Sequence, residues 1–152
     1  MYYDGKGVKR NDKIALKWFA KSAEKEYARA QEMLGSMYLV GRGIGKDVEK
    51  ALEFFLLAAK QGDTEAQYRL GHMYFNGNGV ERNLKKALKW YRMSAEDGDA
   101  EIQYMVGFLY YEGVEGKRDL KMARYWIRKA MENGNETARQ FWVSKGLGNQ
   151  KK

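Results

Sequence analysis

At 152 residues, with 44% hydrophobic and 14% aromatic side chains, the chain is long enough to bury a core and too apolar to stay disordered, while charges spread along its whole length exclude a membrane span. The absence of cysteine and the single histidine leave no thiol nucleophile, no disulfide and no thiolate or histidine cluster for a metal. The net charge of +8 sits towards the ends, with +3 on residues 1–36, 0 on 37–72 and on 73–108, and +5 on 109–152, which speaks against a continuous nucleic-acid footprint.

Sliding the chain against itself by 36 residues aligns nearly all of it without a gap. Tyr2, Tyr38, Tyr74 and Tyr110 share a column, as do Gly5, Gly41, Gly77 and Gly113, then Ala15, Ala51, Ala87 and Ala123, then Trp18, Phe54, Trp90 and Trp126. Residues 1–27 are the first, partial unit. Met1 stands in the column of Met37 and Met73, inside a first helix, so the chain starts halfway through a repeat. The apolar face with Ile14, Ala15 and Trp18 is therefore expected to be uncovered, either because the chain is a fragment of a longer protein or because this end pairs with a second copy. No charged n-region with an apolar core opens the chain, so it reads as cytoplasmic by default, or as periplasmic or secreted if an upstream signal was removed.

Residues 28–63, 64–99 and 100–135 are full units. In the 64–99 unit Asp63, like Asp99 one repeat later, is placed to N-cap a helix over about 64–75, with Ala66, Leu70, Gly71 and Tyr74 on one face. Asn76-Gly77-Asn78-Gly79 ends that helix, and a second begins at Asn83, whose counterparts Asn11, Asp47 and Asp119 put an Asx cap in every unit. The second helix carries Ala87, Trp90, Tyr91 and Ser94 at helical spacing, and Gly62, Gly98 and Gly134 close such helices. Gly71 and Ala87 are expected to let the two backbones approach, with Leu70, Tyr74 and Trp90 filling the remaining space. The pairs Gly5/Gly7, Gly41/Gly43 and Gly77/Gly79 follow helices rather than strands and read as turn devices, not phosphate loops. In the 100–135 unit Glu115 takes the second glycine's column, so that turn must be rebuilt. Residues 136–152, where Trp142-Val143 replaces Leu-Gly, read as a C-terminal cap helix and tail. Hairpins of this size cannot bury their apolar stripes alone, so the expected fold is all-α, a right-handed α-solenoid of antiparallel helix pairs.

The run Ala66-Gln67-Tyr68-Arg69-Leu70-Gly71-His72-Met73-Tyr74-Phe75-Asn76-Gly77-Asn78-Gly79-Val80, followed by Lys86-Ala87-Leu88-Lys89-Trp90-Tyr91 and Ala95-Glu96-Asp97-Gly98-Asp99, resembles the Sel1-like repeat, a relative of the tetratricopeptide repeat. The resemblance extends from residue 1 to about residue 142. It implies a non-catalytic, superhelical scaffold or adaptor that binds other proteins or peptides, with no cofactor. The family's proline after the Gly-x-Gly-Val turn is missing, with Lys9, Gly45 and Glu81 in its place, which implies looser loops.

In a tetratricopeptide-like arrangement the first helices line the concave surface, and helical spacing selects the residues that face it. They are Arg29, Glu32, Met33, Ser36 and Leu39; then Glu65, Tyr68, Arg69, His72, Phe75 and Asn76; then Glu101, Tyr104, Met105, Phe108, Tyr111 and Glu112. Aromatics and methionine supply anchoring area and Arg and Glu supply register, as a groove for a peptide or protein ligand requires. The competing reading is that Phe75, Phe108 and Tyr111 pack against the neighbouring helix. The lone His72 reads as a polar groove residue, with a pH-dependent contact as the sharper alternative.

Two basic stripes, Lys13, Lys17 and Lys21 in the first unit and Lys117, Lys121, Arg124 and Arg128 in the last, support an alternative: an electrostatic binder of nucleic acid or anionic surfaces. A solvated outer face is the plainer reading. Asn135-Glu136-Thr137 fits a glycosylation acceptor, but the N-cap column already accounts for Asn135.

Overall fold

The computed structural model describes residues 11–96, 99–114 and 116–148. Tyr2, Gly5, Gly7, Lys9, Gly98, Glu115 and the terminal Lys151 and Lys152 lie outside them, as do the residues expected to form the partial first helix. Among the described residues there are eight α-helices: α1 (Asp12–Ala23), α2 (Ala28–Val40), α3 (Val48–Lys60), α4 (Thr64–Asn76), α5 (Leu84–Ala95), α6 (Ala100–Glu112), α7 (Leu120–Glu132) and α8 (Glu136–Ser144). The residues through Leu70 form one compact unit and those from Gly71 onward form another.

Seven of the eight described helices start at an expected Asx side chain; α2 starts at Tyr27, which makes no side-chain cap. Asn11, Asp47, Asn83 and Asp119 accept from the backbone N–H three residues on, at 2.8–3.1 Å. Asp63, Asp99 and Asn135 do the same for α4, α6 and α8. Each satisfies a donor that the first turn leaves without an intrahelical partner. The hairpin loops are closed by the cap residue's own N–H, which donates to the carbonyl of the repeated tyrosine: Asp47 to Tyr38 at 2.9 Å, Asn83 to Tyr74 at 2.8 Å and Asp119 to Tyr110 at 3.0 Å. Where Gly62 and Gly134 close α3 and α7 at φ 90° and 89°, Glu26 occupies the same column at φ 60°. The rebuilt turn of the 100–135 unit shifts its second glycine by one position: Gly116 takes φ 77°, and Lys117 N–H donates to Val114 O at 3.2 Å.

In the first unit α2 packs against α1 and α3; in the second, α6 packs against α5 and α7, and α8 against α7. The packing corrects one sequence expectation. The side chains that fill the space over the helix-one glycines are Phe55, Tyr91 and Ile127, each at most 1% exposed, while Trp90 is half-buried and Trp18 is 59% exposed. A Cβ on Gly35 would stand 2.9 Å from the Phe55 ring, and one on Gly107 would stand 2.5 Å from Ile127 Cγ1. The residue four after the repeated alanine points at the helix crossing, and the residue three after it points beside it. At the N-terminal side Ala15 is buried, while Ile14 is 37% exposed.

A buried polar column, unread in the sequence, ties each first helix to the preceding second helix. Gln31 Nε2 donates to Ala23 O at 3.5 Å, Gln67 Nε2 to Ala59 O at 3.3 Å and Gln103 Nε2 to Ala95 O at 3.2 Å. The acceptors lie in the last turns of α1, α3 and α5, where carbonyls lack helical partners. Gln31 Oε1 in turn accepts from Gln61 at 2.7 Å and Gln103 Oε1 from Asn133 at 2.9 Å.

Candidate functional site

On α2 the residues Arg29, Glu32, Met33, Ser36 and Leu39 recur at three- and four-residue steps, away from the buried Ala30, Leu34 and Met37. With Glu65 and Arg69 from the start of α4 they line a groove of about 830 Å³. All seven belong to the set selected by helical spacing. Phe19, Val40 and Arg42 complete the lining; they come from another helix, the end of α2 and the turn after it.

The floor of this groove is a carboxylate. Glu32 is 2% exposed, accepts from the Ser36 hydroxyl at 2.8 Å and lies 3.1 Å from the Arg29 guanidinium. Burial raises its pKa; Ser36 and then Arg29 act against that, and Asp63 and Glu65 add to it. Arg69 pairs with Glu65 at 2.8 Å, and Arg42 lies 3.8 Å from Asp12. The wall thus alternates oriented cations with apolar Met33, Leu39 and Val40.

On α6 the expected aromatics come together around a residue that the selection left out. Phe141 of α8 stands 5.8 Å from Tyr104, 5.8 Å from Phe108 and 5.0 Å from Tyr111, edge-to-face in each pair. These three rings pack against the chain's own last helix and remain half-buried. Arg118 lies over Tyr111 at 5.2 Å, and Lys145 lies over Tyr111 at 5.9 Å and Phe141 at 5.8 Å. Asn135 donates to Glu101 at 2.8 Å. Burial raises the pKa of Tyr104, and the Glu101 charge adds to that. Met105 is half-buried and Glu112 exposed. Phe141 was findable: it stands one period after Met105, in the column of Met33 and Arg69.

On α4 Tyr68 and Phe75 are half-buried and His72 is exposed. Asn76 Nδ2 donates to His72 O at 3.0 Å and lies 3.2 Å from the ring nitrogens; Arg82 Nε donates to Phe75 O at 3.0 Å. Of the two basic stripes, Lys13, Lys17 and Lys21 are exposed on α1. The other is partly engaged at home: Arg124 Nε donates to Leu147 O at 3.1 Å, and Arg128 lies 5.3 Å over Trp142. Among the described residues no group of acidic or histidine side chains is arranged to hold a metal ion, and no helix is long and apolar enough to cross a membrane.

The repeated caps, loops and glycine contacts are those of one supersecondary unit used several times, and the Sel1 repeat family model matches residues 1–27, 28–63, 64–99 and 100–135. The chain is a Sel1 repeat protein. Its fold class, an all-α repeat solenoid, follows from the eight helices and the match.

Among solved structures, a Sel1 repeat protein from Oxalobacter formigenes is 34% identical with a TM-score of 0.84, over 93% of this chain and 58% of that one. The protein c5321, described as a protective antigen present in uropathogenic Escherichia coli strains and displaying an SLR fold, is 36% identical with a TM-score of 0.83, over 95% of this chain and 32% of that one. Helicobacter pylori cysteine rich protein B is 25% identical with a TM-score of 0.62, over 90% and 98%. The chain spans less than two thirds of the length of the first two. No curated protein is matched. Sel1 repeat proteins are generally non-catalytic scaffolds for protein interaction.

Proposed function

We propose that this Sel1 repeat protein is a non-catalytic adaptor whose first-helix faces bind a peptide or protein segment. The observation that carries the reading is the groove of about 830 Å³, lined by Arg29, Glu32, Met33, Ser36, Leu39, Glu65 and Arg69. Its mixture of apolar side chains and guanidinium groups held by carboxylates suits an extended peptide: the apolar wall takes a side chain, and the charges fix register. Tyr68, His72 and Phe75 on α4, and Glu101, Tyr104, Met105, Phe108 and Tyr111 on α6, occupy corresponding first-helix positions in the sequence, and we propose them as contact residues on their own helices. The aromatic set on α6 already holds Phe141, so its exposed edges, not its ring centres, are what a ligand would meet.

The test is selection of peptides from a displayed random library on the full chain, followed by titration of the enriched peptides. Enriched peptides should bind about tenfold or more weakly to Met33→Glu and to Arg69→Glu, and unchanged to Lys17→Glu on α1. Peptides that bind all variants alike, or that lose affinity only with Lys17→Glu, would refute the groove.

A further inference from the structure

Segment by segment, residues 73–108 carry no net charge, but the helices separate the signs. α5 holds Lys85, Lys86, Lys89 and Arg92 and no acidic residue, while Glu81, Glu96, Asp99 and Glu101 fall outside it. Lys85, Lys89 and Arg92 recur at four- and three-residue steps on one exposed face. Between them lies a depression of about 600 Å³, lined by Lys85, Lys86, Leu88, Lys89, Arg92 and Met93, with Glu96 at its C-terminal end. Met93 is 40% exposed there.

The repeat itself shows that packing does not require a cation at Lys85 or Lys89, whereas Lys86, like Lys50 one period earlier, lies over the ring of the repeated tyrosine. One period earlier, on α3, the positions of Lys85 and Lys89 are occupied by Glu49 and Glu53, in a helix that is N-capped from the same column and buries the same four columns. The fold accepts either sign at this register, so the uniform sign on α5 is a property of the surface. Basic side chains around an apolar floor complement an acidic segment that also carries an apolar side chain. A flat anionic bilayer would cover the lysines but leave the depression unfilled. The lining contains no aromatic ring, and the adjoining Trp90 is half-buried with Lys89 over its ring at 5.9 Å, which leaves a nucleic-acid base poorly placed to stack.

We propose that the outward face of α5 is a second docking site, which takes an acidic partner segment and seats one of its aliphatic side chains between Leu88 and Met93. This site is independent of the groove on α2.

The probe is a fluorescein-labelled peptide of Glu-Glu-Leu repeats, titrated with the full chain by fluorescence anisotropy. Saturable binding is expected, weakening about tenfold or more when salt rises from about 50 to about 300 mM. The charge-reversed variant Lys85→Glu/Lys89→Glu, which reproduces the α3 sequence at both positions, should lose about tenfold or more in affinity with an unchanged circular dichroism spectrum. Met93→Ser, which leaves the charge unchanged, should weaken binding without a change in salt slope, and Met33→Glu should leave binding unaltered. The proposal is overturned if the wild-type chain does not bind, if the reversed variant binds equally, or if a Glu-Glu-Gly peptide binds as well as the leucine peptide. Tighter binding to duplex DNA or to phosphatidylserine vesicles than to the peptide would also overturn it.

Discussion

A methyl group at Gly71 would stand 2.6 Å from Cδ1 of Tyr91, so the flat face of α4 at this point is filled by a ring from α5 that leaves no room for a Cβ. The same relationship joins Gly35 to Phe55 and Gly107 to Ile127, where the Ile127 backbone nitrogen also lies 2.9 Å from the Cβ position. A ring edge can tilt away; a helix backbone shifts only with its whole element. Gly→Ala at these sites gains about 1 kcal/mol of helix propensity and loses more to overpacking. Gly107→Ala is expected to destabilise most, by about 3 kcal/mol, and Gly35→Ala least. Urea unfolding of the three variants checks the order.

Glu26 carries a left-handed φ of 60° in the column where Gly62 and Gly134 stand. An L side chain there costs about 1 kcal/mol, and glycine removes the cost while adding some unfolded-state entropy. Glu26→Gly should raise the melting temperature by a few degrees, whereas Gly62→Glu should lower it by a similar amount. Differential scanning calorimetry reads both.

Gln103 is fully buried, with its amide spent on Ala95 O and its carbonyl on Asn133. Gln103→Leu keeps much of the volume and strands the buried Ala95 carbonyl, while the exposed Asn133 amide turns to water, so a loss of about 1–2 kcal/mol is expected. Arg139 takes the same column one period later; it is exposed and pairs with Glu136. Arg139→Leu should change stability little, and chemical denaturation of the two variants gives the contrast.

Burial raises the Glu32 pKa above its ordinary value of 4.5, so within the window from that value up to the folded one the native state binds more protons than the unfolded state. Stability must therefore fall as pH rises through the window. Glu32→Gln removes this titration and keeps an acceptor for Ser36. Thermal melts from about pH 4 to pH 8 should show the wild type losing stability relative to the variant as pH rises; parallel curves would contradict the assignment.

The hairpin boundaries were legible because their chemistry is local. An Asx side chain finds its own helix's third N–H, and a glycine adopts a positive φ, with little regard to what lies across the molecule. The first-helix face was legible in outline for the same reason: spacing alone put Arg29, Glu32, Met33, Ser36 and Leu39 on one side of α2. Spacing did not show that Glu32 would be the buried floor of a groove, because burial depends on what a neighbouring helix places opposite. The Gln31, Gln67 and Gln103 column was present in the sequence, but its meaning needed the carbonyls of the preceding helix.

Sequence by itself determined the period, the two helices of each full unit, most of their caps and the family, all set by contacts within a repeat. Tertiary structure decided that Tyr91 rather than Trp90 meets Gly71, that Phe141 fills the aromatic set of α6, and that α5 presents one sign of charge in a segment that is neutral overall. Each of these turns on which side chain the packing brings opposite another, or which it leaves facing water, and the free energy of a ring or a charge depends on that surrounding.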